Sequence, residues 1–278
     1  MGTLDGKVAV VTGGSSGIGR ATAVALAREG ASVAIGGRKA SALEEVAAGV
    51  KAQGGAIITQ AMDVRDEGQM VALVDVAVRE FGRLDIMVNN AGLAHQGSIT
   101  DGAVEEWREM LETNVLALLV GCREAIRVMK SNDPRGGDIV NISSVAARDT
   151  GATGQVYSGT KHAVNAISDG LRQEVHDLGI RVTVVMPGGT LTNIGRTLPQ
   201  EVLDGAARAL GVDPEGEGIR HGEYLPSEGI ERVLREHPGA LLAADDLARA
   251  VMYAVTQPPS VHVEELLVRP SMGIDLGG

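Results

Sequence analysis

Tyr157 and Lys161 stand four residues apart in a stretch that reads as helix, so their side chains share one helical face. A cation held beside a phenol favours the phenolate, and we therefore expect the pKa of Tyr157 to fall below its usual value of about 10. Such a phenol can act as a general acid or base near neutral pH. Alone, the pair is also compatible with an exposed helix face that carries an unrelated tyrosine.

A glycine-rich segment near the N-terminus indicates a second kind of chemistry. Gly13, Gly17 and Gly19 follow the apolar run 7–12 and precede a helical pattern at 20–28 that stops at Gly30. A strand, a glycine loop and a helix in this order direct backbone N–H groups and a helix N-terminus at a phosphate. The segment therefore favours nucleotide binding.

The elements around these residues alternate along the chain. Strand patterns occupy residues 7–12, 33–35, 57–61, 84–88, 138–142, 182–185 and 265–268. Helical patterns occupy 20–28, 40–53, 66–81, 104–130, 156–178 and 244–256. This alternation predicts a doubly wound α/β fold, with a mostly parallel seven-stranded sheet covered by helices on both faces.

We expect residues 1–278 to form a single domain, because no linker, repeat or low-complexity tract divides them. The pattern is irregular and rich in Gly, Pro and charge between about residues 193 and 240. A connection of this length in a compact domain is usually functional, which predicts a substrate lid. A surface insertion without a role is the alternative.

Composition narrows the class of protein. Hydrophobic residues make up 44% of the 278 residues and aromatic residues only 2%, so we expect a core of Val, Ile, Leu and Ala. A net charge of −11 argues against nucleic acid or an anionic membrane as the main partner. No apolar run approaches the 18 or so residues of a spanning helix, and the first strand pattern begins too early to leave room for a signal peptide.

The remaining reactive side chains add little. Cys122 is the only cysteine, so it cannot form an internal disulfide. We expect Cys122 to be a small buried residue, and the protein to be cytoplasmic. The six histidines show no ligand spacing with cysteine or carboxylates, and we therefore predict no catalytic metal.

Several motifs together resemble the short-chain dehydrogenase/reductase family over residues 5–193 and a final strand near Leu267. Their order and spacing are those of the family: Thr12-Gly13-x-x-x-Gly17-x-Gly19, Asn89-Asn90-Ala91-Gly92, Asn114, Ser144, Tyr157-x-x-x-Lys161 and Pro187-Gly188. The segment 264–270 is also similar to the ending of a bacterial subgroup. The resemblance implies a Rossmann-like fold and a nicotinamide dinucleotide as cofactor.

The resemblance also implies which residues bind that cofactor. Three residues separate the first two glycines, where the larger dehydrogenases have one. In the family, the carboxylate corresponding to Asp63 accepts from the adenine amino group, and the residues after the fourth and sixth strands flank the ribose and the nicotinamide. The implied set is Gly13, Ser15, Ser16, Gly17, Ile18, Gly19, Asp63, Val64, Asn90, Ala91, Gly92, Tyr157, Lys161, Pro187, Gly188, Thr190 and Thr192.

The residues at the end of the second strand distinguish enzymes that use NAD(H) from those that use NADP(H). An NAD enzyme places Asp or Glu there to bind the ribose 2′-hydroxyl, whereas this chain has Gly37 and Arg38, with no carboxylate until Glu44. Glycine leaves room for a 2′-phosphate and the guanidinium can grip it. We therefore predict NADP(H), with NAD(H) as the alternative.

The resemblance assigns the chemistry to four residues. Ser144 lies 13 residues before Tyr157, the family spacing, whereas the count for Ser143 is off by one. Ser144 would hydrogen-bond the substrate oxygen, Tyr157 would exchange the proton, and Lys161 would lower the tyrosine's pKa and hold the nicotinamide ribose. Asn114 stands in an otherwise apolar helical stretch and would anchor a water that connects Lys161 to solvent. The alternative for Asn114 is a polar residue bonded to neighbouring backbone.

These residues predict reversible hydride transfer between NADPH and a ketone or aldehyde carbon. An enoyl reductase is disfavoured, since it would place its lysine seven residues after the tyrosine, where this chain has Val164. A non-catalytic NADP-binding regulator would be expected to have a broken Ser/Tyr/Lys set. His95, Arg148 and Arg196 could flank the substrate cavity, but surface roles are the better interpretation. The family implies a homodimer or homotetramer.

Overall fold

The computed structural model describes residues 2–95, 97–150, 154–190, 192, 200, 204, 208, 235 and 238–272. The predicted lid at about 193–240 lies almost wholly outside these residues, and so does Arg196. Both stay predictions. Within the described part of the chain, no helix is long and apolar enough to span a membrane.

Seven parallel strands form one sheet in the order β3-β2-β1-β4-β5-β6-β7. The strands are β1 (Val8–Thr12), β2 (Ser32–Gly37), β3 (Ile57–Ala61), β4 (Ile86–Asn89), β5 (Gly137–Ile142), β6 (Ile180–Pro187) and β7 (Glu265–Val268). The predicted fold class is confirmed. Its strand order reverses between β1 and β4, and in open α/β sheets ligands bind outside the carboxyl ends of the strands at such a point.

The described helices cover both faces of the sheet. They are α1 (Gly17–Arg28), α2 (Ala40–Ala52), α3 (Glu67–Phe81), α4 (Val104–Leu111), α5 (Ala117–Met129), α6 (Gln155–Val175) and α7 (Ala244–Val255). Successive residues of a strand face opposite sides. Val11 and Ile35 therefore pack under α1, α2 and α7, whereas Val10 and Ala34 pack under α3, α5 and α6. Both clusters are mainly aliphatic, as the composition predicts.

Two long helices predicted from the sequence are divided in the structure. The stretch predicted as one helix at 104–130 contains a π-helical turn, Glu112–Leu116, between α4 and α5. The helix predicted at 156–178 ends at Val175 and continues as a 3-10 turn, His176–Leu178. Gly179 follows with a φ of 69°, a left-handed conformation that ends the helical path. Hydrophobic periodicity does not distinguish these turn types from α-helix.

Candidate active site

The structure brings the three proposed catalytic side chains together at the carboxyl end of β5. Tyr157 and Lys161 lie on α6, and Lys161 Nζ is 5.7 Å from the centroid of the Tyr157 ring. Ser144 follows β5 in extended conformation, and its hydroxyl accepts a hydrogen bond from the Ala146 N–H at 3.1 Å. The same hydroxyl hydrogen-bonds to Tyr157. This arrangement matches the roles that the resemblance implies.

Ser143, the competing candidate, has a different role. Its hydroxyl donates to the backbone carbonyl of Lys161 at 3.2 Å and it is 3% exposed. Ser143 therefore ties β5 to α6, while Ser144 is the serine that meets the tyrosine. This geometry favours Ser144.

The expected fall in the pKa of Tyr157 is wrong. Burial raises the pKa of this phenol above its usual value, and the hydrogen bond from Ser144 only partly opposes the rise. Burial also lowers the pKa of Lys161 to about 8, because an ammonium out of water is costly. The ammonium lies near the ring and donates to the carbonyl of Ile142 at 2.9 Å. Helical spacing predicted the proximity correctly, but burial dominates the titration of both groups.

Asn114 lies in the π-helical turn and is 2% exposed. Its Oδ1 accepts from the Leu93 N–H at 3.0 Å, and its Nδ2 donates to the Leu93 carbonyl at 2.9 Å. Nδ2 also donates to the Thr160 hydroxyl at 3.1 Å. The bonds to Leu93 are those of the alternative interpretation, a polar residue bonded to neighbouring backbone. The water-anchoring role stays a prediction.

The glycine loop has the shape that phosphate binding requires. Gly13 and Gly17 have φ values of 67° and 53°, a backbone conformation that residues other than glycine rarely adopt. Ser16 is extended at the start of α1, makes no side-chain hydrogen bond to the helix, and no acidic residue occupies the first turn. The first N–H groups of α1 are therefore available to an anion. The side chain of Ile18 is partly buried and packs against the core.

The end of β4 is joined directly to the glycine loop. The N–H groups of Asn90 and Ala91 both donate to the Thr12 hydroxyl at 3.0 Å, and Asn90 Nδ2 donates to the Thr12 carbonyl at 2.8 Å. A Cβ on Gly19 would lie 2.3 Å from the Gly13 carbonyl oxygen, so only glycine allows this packing. The two segments thus form one floor at the point where the strand order reverses.

The residues at the end of β2 bear on the choice between NADP(H) and NAD(H). Arg38 is exposed just beyond β2, and among the described residues its guanidinium has no hydrogen-bond or ion-pair partner. A Cβ on Gly37 would lie 3.3 Å from Ser15 Oγ, so a larger residue here would press against the Ser15 side chain. Val64, which the resemblance places beside the adenine, is 9% exposed.

The Asp63 carboxylate has a partner that sequence reasoning missed. Arg65 Nη2 lies 2.6 Å from Asp63 Oδ2, and the Arg65 N–H donates to Oδ1 at 3.0 Å. The hydrogen bond from Arg65 lowers the pKa of Asp63 and so keeps it ionised. The only signal in the sequence is an arginine two residues after an aspartate, which is too common to identify an ion pair. The adenine role of Asp63 stays a prediction.

The segment after β6 borders the same site. The Gly188 N–H donates to the Val268 carbonyl at 2.7 Å, and the Thr190 hydroxyl donates to the Gly188 carbonyl at 2.8 Å. A Cβ on Gly17 would lie 3.4 Å from the side chain of Thr192. The segment that begins at Pro187 therefore reaches back to the glycine loop.

His95 and Arg148 have partners in the structure. His95 Nε2 lies 2.9 Å from Glu109 Oε2, and Arg148 Nη2 lies 2.5 Å from Glu265 Oε2. These contacts favour the surface interpretation of both residues.

Cys122 is buried as expected, and burial raises the pKa of its thiol to about 12. Within the described ranges, no three His, Cys, Asp or Glu side chains form a group that could hold a metal ion, and the absence of a catalytic metal stays a prediction.

Comparisons with known proteins identify relatives of this chain. The family model described as short chain dehydrogenase matches residues 7–202. A glycine betaine reductase of Emericella nidulans is 35% identical over 269 residues, which are 97% of this chain but only 19% of that protein. An uncharacterized oxidoreductase of Staphylococcus aureus strain USA300 is 33% identical over 270 residues, covering 97% of this chain and 100% of the relative.

Two solved structures show the same fold. An alcohol dehydrogenase from Thermococcus sibiricus, complexed with 5-hydroxy-NADP, has a TM-score of 0.76 and 28% identity over 95% of this chain and 97% of that one. A 7α-hydroxysteroid dehydrogenase complexed with NADH and 7-oxo glycochenodeoxycholic acid has a TM-score of 0.80 and 26% identity over 99% and 97%. The family match, the full-length relative and the shared fold agree, and this chain belongs to the short-chain dehydrogenase/reductase family.

Proposed function

We propose that this protein is an NADP(H)-dependent oxidoreductase that interconverts a ketone or aldehyde and its alcohol, a carbonyl reductase in the direction of reduction. The observation that carries the proposal is the meeting of Ser144, Tyr157 and Lys161 at the carboxyl end of β5. When bound, the dinucleotide would supply or accept the hydride. The protein's contribution is mostly positioning and proton supply.

The protonation state of Tyr157 fits the role of proton donor in reduction. Because burial raises the pKa of Tyr157, its hydroxyl keeps its proton near neutral pH and can donate it to a carbonyl oxygen. The Ser144 hydroxyl would bind the same oxygen. Lys161 would hold the ribose, and its pKa of about 8 leaves the ammonium mostly charged at that pH.

The residues on the floor of the site fit a dinucleotide. The uncapped start of α1 and the two left-handed glycines would hold the pyrophosphate. Arg38 would pair with the 2′-phosphate, and Gly37 would place no side chain beside it. One solved relative holds an NADP derivative and another holds NADH. The choice of NADP(H) over NAD(H) therefore depends on Arg38.

Replacing Arg38 tests that choice. We expect Arg38→Asp to lower kcat/KM for NADPH by about a hundredfold relative to NADH, because the new carboxylate repels the phosphate and can accept from a 2′-hydroxyl. The measurement is kcat/KM with each cofactor at a saturating carbonyl substrate. Arg28→Asp, at the end of α1 away from this floor, is the control. An unchanged ratio in Arg38→Asp would show that NADP preference is misassigned.

Replacing Tyr157 tests the chemistry. We expect Tyr157→Phe to reduce kcat by at least about a thousandfold, since the proton donor is lost while the ring is kept. NADPH binding, followed by the fluorescence of the single tryptophan, Trp107, should change little. Tyr253→Phe removes an exposed hydroxyl on α7 and should retain full activity. Substantial turnover by Tyr157→Phe would exclude the proposed mechanism.

The substrate we propose is a mainly apolar carbonyl compound. Leu93 and Ala94 follow the cofactor-binding segment that ends at Gly92, Met186 precedes Pro187, and all three are buried. One Trp and one Phe in the chain leave little scope for stacking. By their names, one relative acts on a hydroxysteroid, which is mainly apolar, and another on glycine betaine, which carries a cationic group. A panel of both kinds, monitored by loss of NADPH absorbance, would rank them. No turnover across the panel would favour the alternative, a non-catalytic NADP-binding regulator.

We further propose a cytoplasmic homodimer or homotetramer, built from one Rossmann-like unit over residues 1–278 with a lid at about 193–240. Exposed leucines on the consecutive helical segments α4, the π turn and α5 support an interface between copies. These are Leu111, Leu116 and Leu119, which are 52%, 53% and 41% exposed.

A further inference from the structure

Thr160 is the residue immediately before Lys161, and its side chain is enclosed between α6 and the π-helical turn. It is 1% exposed. Its hydroxyl donates to the carbonyl of Tyr157 at 2.7 Å, one turn back along the same helix. A hydroxyl has a single hydrogen, so toward Asn114 Nδ2, 3.1 Å away, it can act only as the acceptor.

This acceptor adds a third hydrogen bond to the Asn114 amide, in the same orientation that its other contacts require. The other two contacts of the amide are to one residue, Leu93, whose N–H donates to Oδ1 and whose carbonyl accepts from Nδ2. The hydroxyl of Thr160 is the third contact and comes from a different element. The amide consequently joins α6, the π-helical turn and the segment after β4 through three hydrogen bonds.

The segment held in this way borders the reactive ammonium. A Cβ on Gly92 would lie 3.3 Å from Asn114 Oδ1 and 3.7 Å from Lys161 Nζ. The backbone at Gly92 therefore lies close to both the amide and the ammonium.

We propose that Thr160 is a positioning residue, which holds the Asn114 amide and thereby the backbone at Leu93 and Gly92, beside Lys161. The inference deepens the proposed function and rests on it for its kinetic consequences. The geometric part stands on the three hydrogen bonds alone. A threonine hydroxyl bonded back to its own helix is common without any such role, so the experiment must separate the two possibilities.

Thr160→Val is the direct test, because valine has nearly the same shape and neither donates nor accepts. We expect kcat for carbonyl reduction to fall about tenfold, the size associated with losing one buried hydrogen bond, while KM for NADPH changes less than twofold. Thr160→Ser keeps the hydroxyl and should restore most of kcat. Thermal unfolding of all three proteins identifies any variant that is simply destabilised.

A second measurement does not depend on turnover. The Leu93 amide proton is bonded to Asn114 Oδ1, so its hydrogen exchange reports how firmly the amide is held. We expect exchange at Leu93 to be about tenfold faster in Thr160→Val than in the wild type and in Thr160→Ser. The Leu118 amide within α5 is an internal reference.

The outcomes separate this inference from the proposed function. Slower turnover together with faster Leu93 exchange in Thr160→Val, both reversed in Thr160→Ser, supports the positioning role. Unchanged exchange at Leu93 overturns it, whatever the activity. If the wild-type protein reduces no carbonyl compound but Thr160→Val still accelerates the exchange, the proposed function fails and the role of Thr160 in fixing the amide stands.

Discussion

At the scale of residues, the active site couples a half-buried phenol with a buried ammonium, and desolvation shifts the pKa of each toward its neutral form. Tyr157 keeps its proton because burial raises its pKa, and Lys161 has a pKa of about 8 because burial lowers it. A neutral phenol is the form that donates a proton to a carbonyl oxygen. The same environment that keeps the Tyr157 phenol protonated also buries the Lys161 ammonium, and burying this charge lowers the free energy of unfolding.

That cost predicts a trade-off between stability and activity at Lys161. The folded-state pKa of about 8, against 10.5 for the unfolded chain, corresponds to about 3 kcal/mol of destabilisation that is fully present below pH 8. It disappears as the pH rises toward 10.5, because the unfolded chain then also loses the proton. We expect Lys161→Met to be more stable than the wild type by up to about 3 kcal/mol at pH 7, and inactive.

Denaturant unfolding at pH 7, 9 and 10.5 measures this effect. The stability gap between Lys161→Met and the wild type should narrow from pH 8 upward. Lys130→Met replaces an exposed lysine at the end of α5 and should show no comparable trend. A gap of the same size at pH 7 and pH 10.5 would show that desolvation of the ammonium is not its origin.

At the scale of elements, the contact between α1 and β1 positions the candidate phosphate site. Gly19 allows the first turn of α1 to approach the Gly13 carbonyl and the Asn90 side chain more closely than any Cβ would permit. The start of the helix therefore points at the carboxyl ends of β1 and β4. Helix N-termini in this position bind phosphates through their free N–H groups.

Adding one methyl group at Gly19 tests the importance of this contact. In Gly19→Ala the Cβ would lie 2.3 Å from the Gly13 oxygen and 2.4 Å from Asn90 Nδ2, so backbone must move. We expect a loss of about 1–3 kcal/mol in stability and weaker NADPH binding. Gly49→Ala on α2 is the matched control, since its Cβ meets no atom within 4 Å, and helix propensity should make it slightly stabilising. Equal behaviour of the two variants would contradict the close-packing argument.

At the scale of the whole molecule, the exposed leucines of α4, the π turn and α5 form an apolar surface on the helices that carry and flank Asn114. Leu119 on α5 is 41% exposed, and a second copy of the chain is the partner we propose for it. We expect Leu119→Lys to shift the mass measured by light scattering toward the monomer. Val261→Lys, at a position 39% exposed outside these helices, should leave the mass unchanged. An unaltered mass for Leu119→Lys would place the interface elsewhere.

Much of the architecture was predictable because parallel α/β elements leave a strong local signal. Buried strands and amphipathic helices alternate, and their bounds in the structure differ from the predicted ones by three residues or less, apart from the helix that the π turn divides. The π-helical turn that carries Asn114 was not predictable, because its side chains keep a pattern close to that of α-helix. The partnership of Arg65 with Asp63 was missed for a similar reason: short polar loops contain many such pairs.

The sequence by itself determined which groups could react and the order of the elements that present them, since spacing along a helix or strand requires only local geometry. The tertiary structure alone decided how those groups titrate. Lys161 is buried and Tyr157 half-buried where β5, α6 and the segment after β4 converge, although these segments lie far apart in the chain. Desolvation depends on that convergence, and for the phenol it outweighs the effect expected from a lysine one helical turn away.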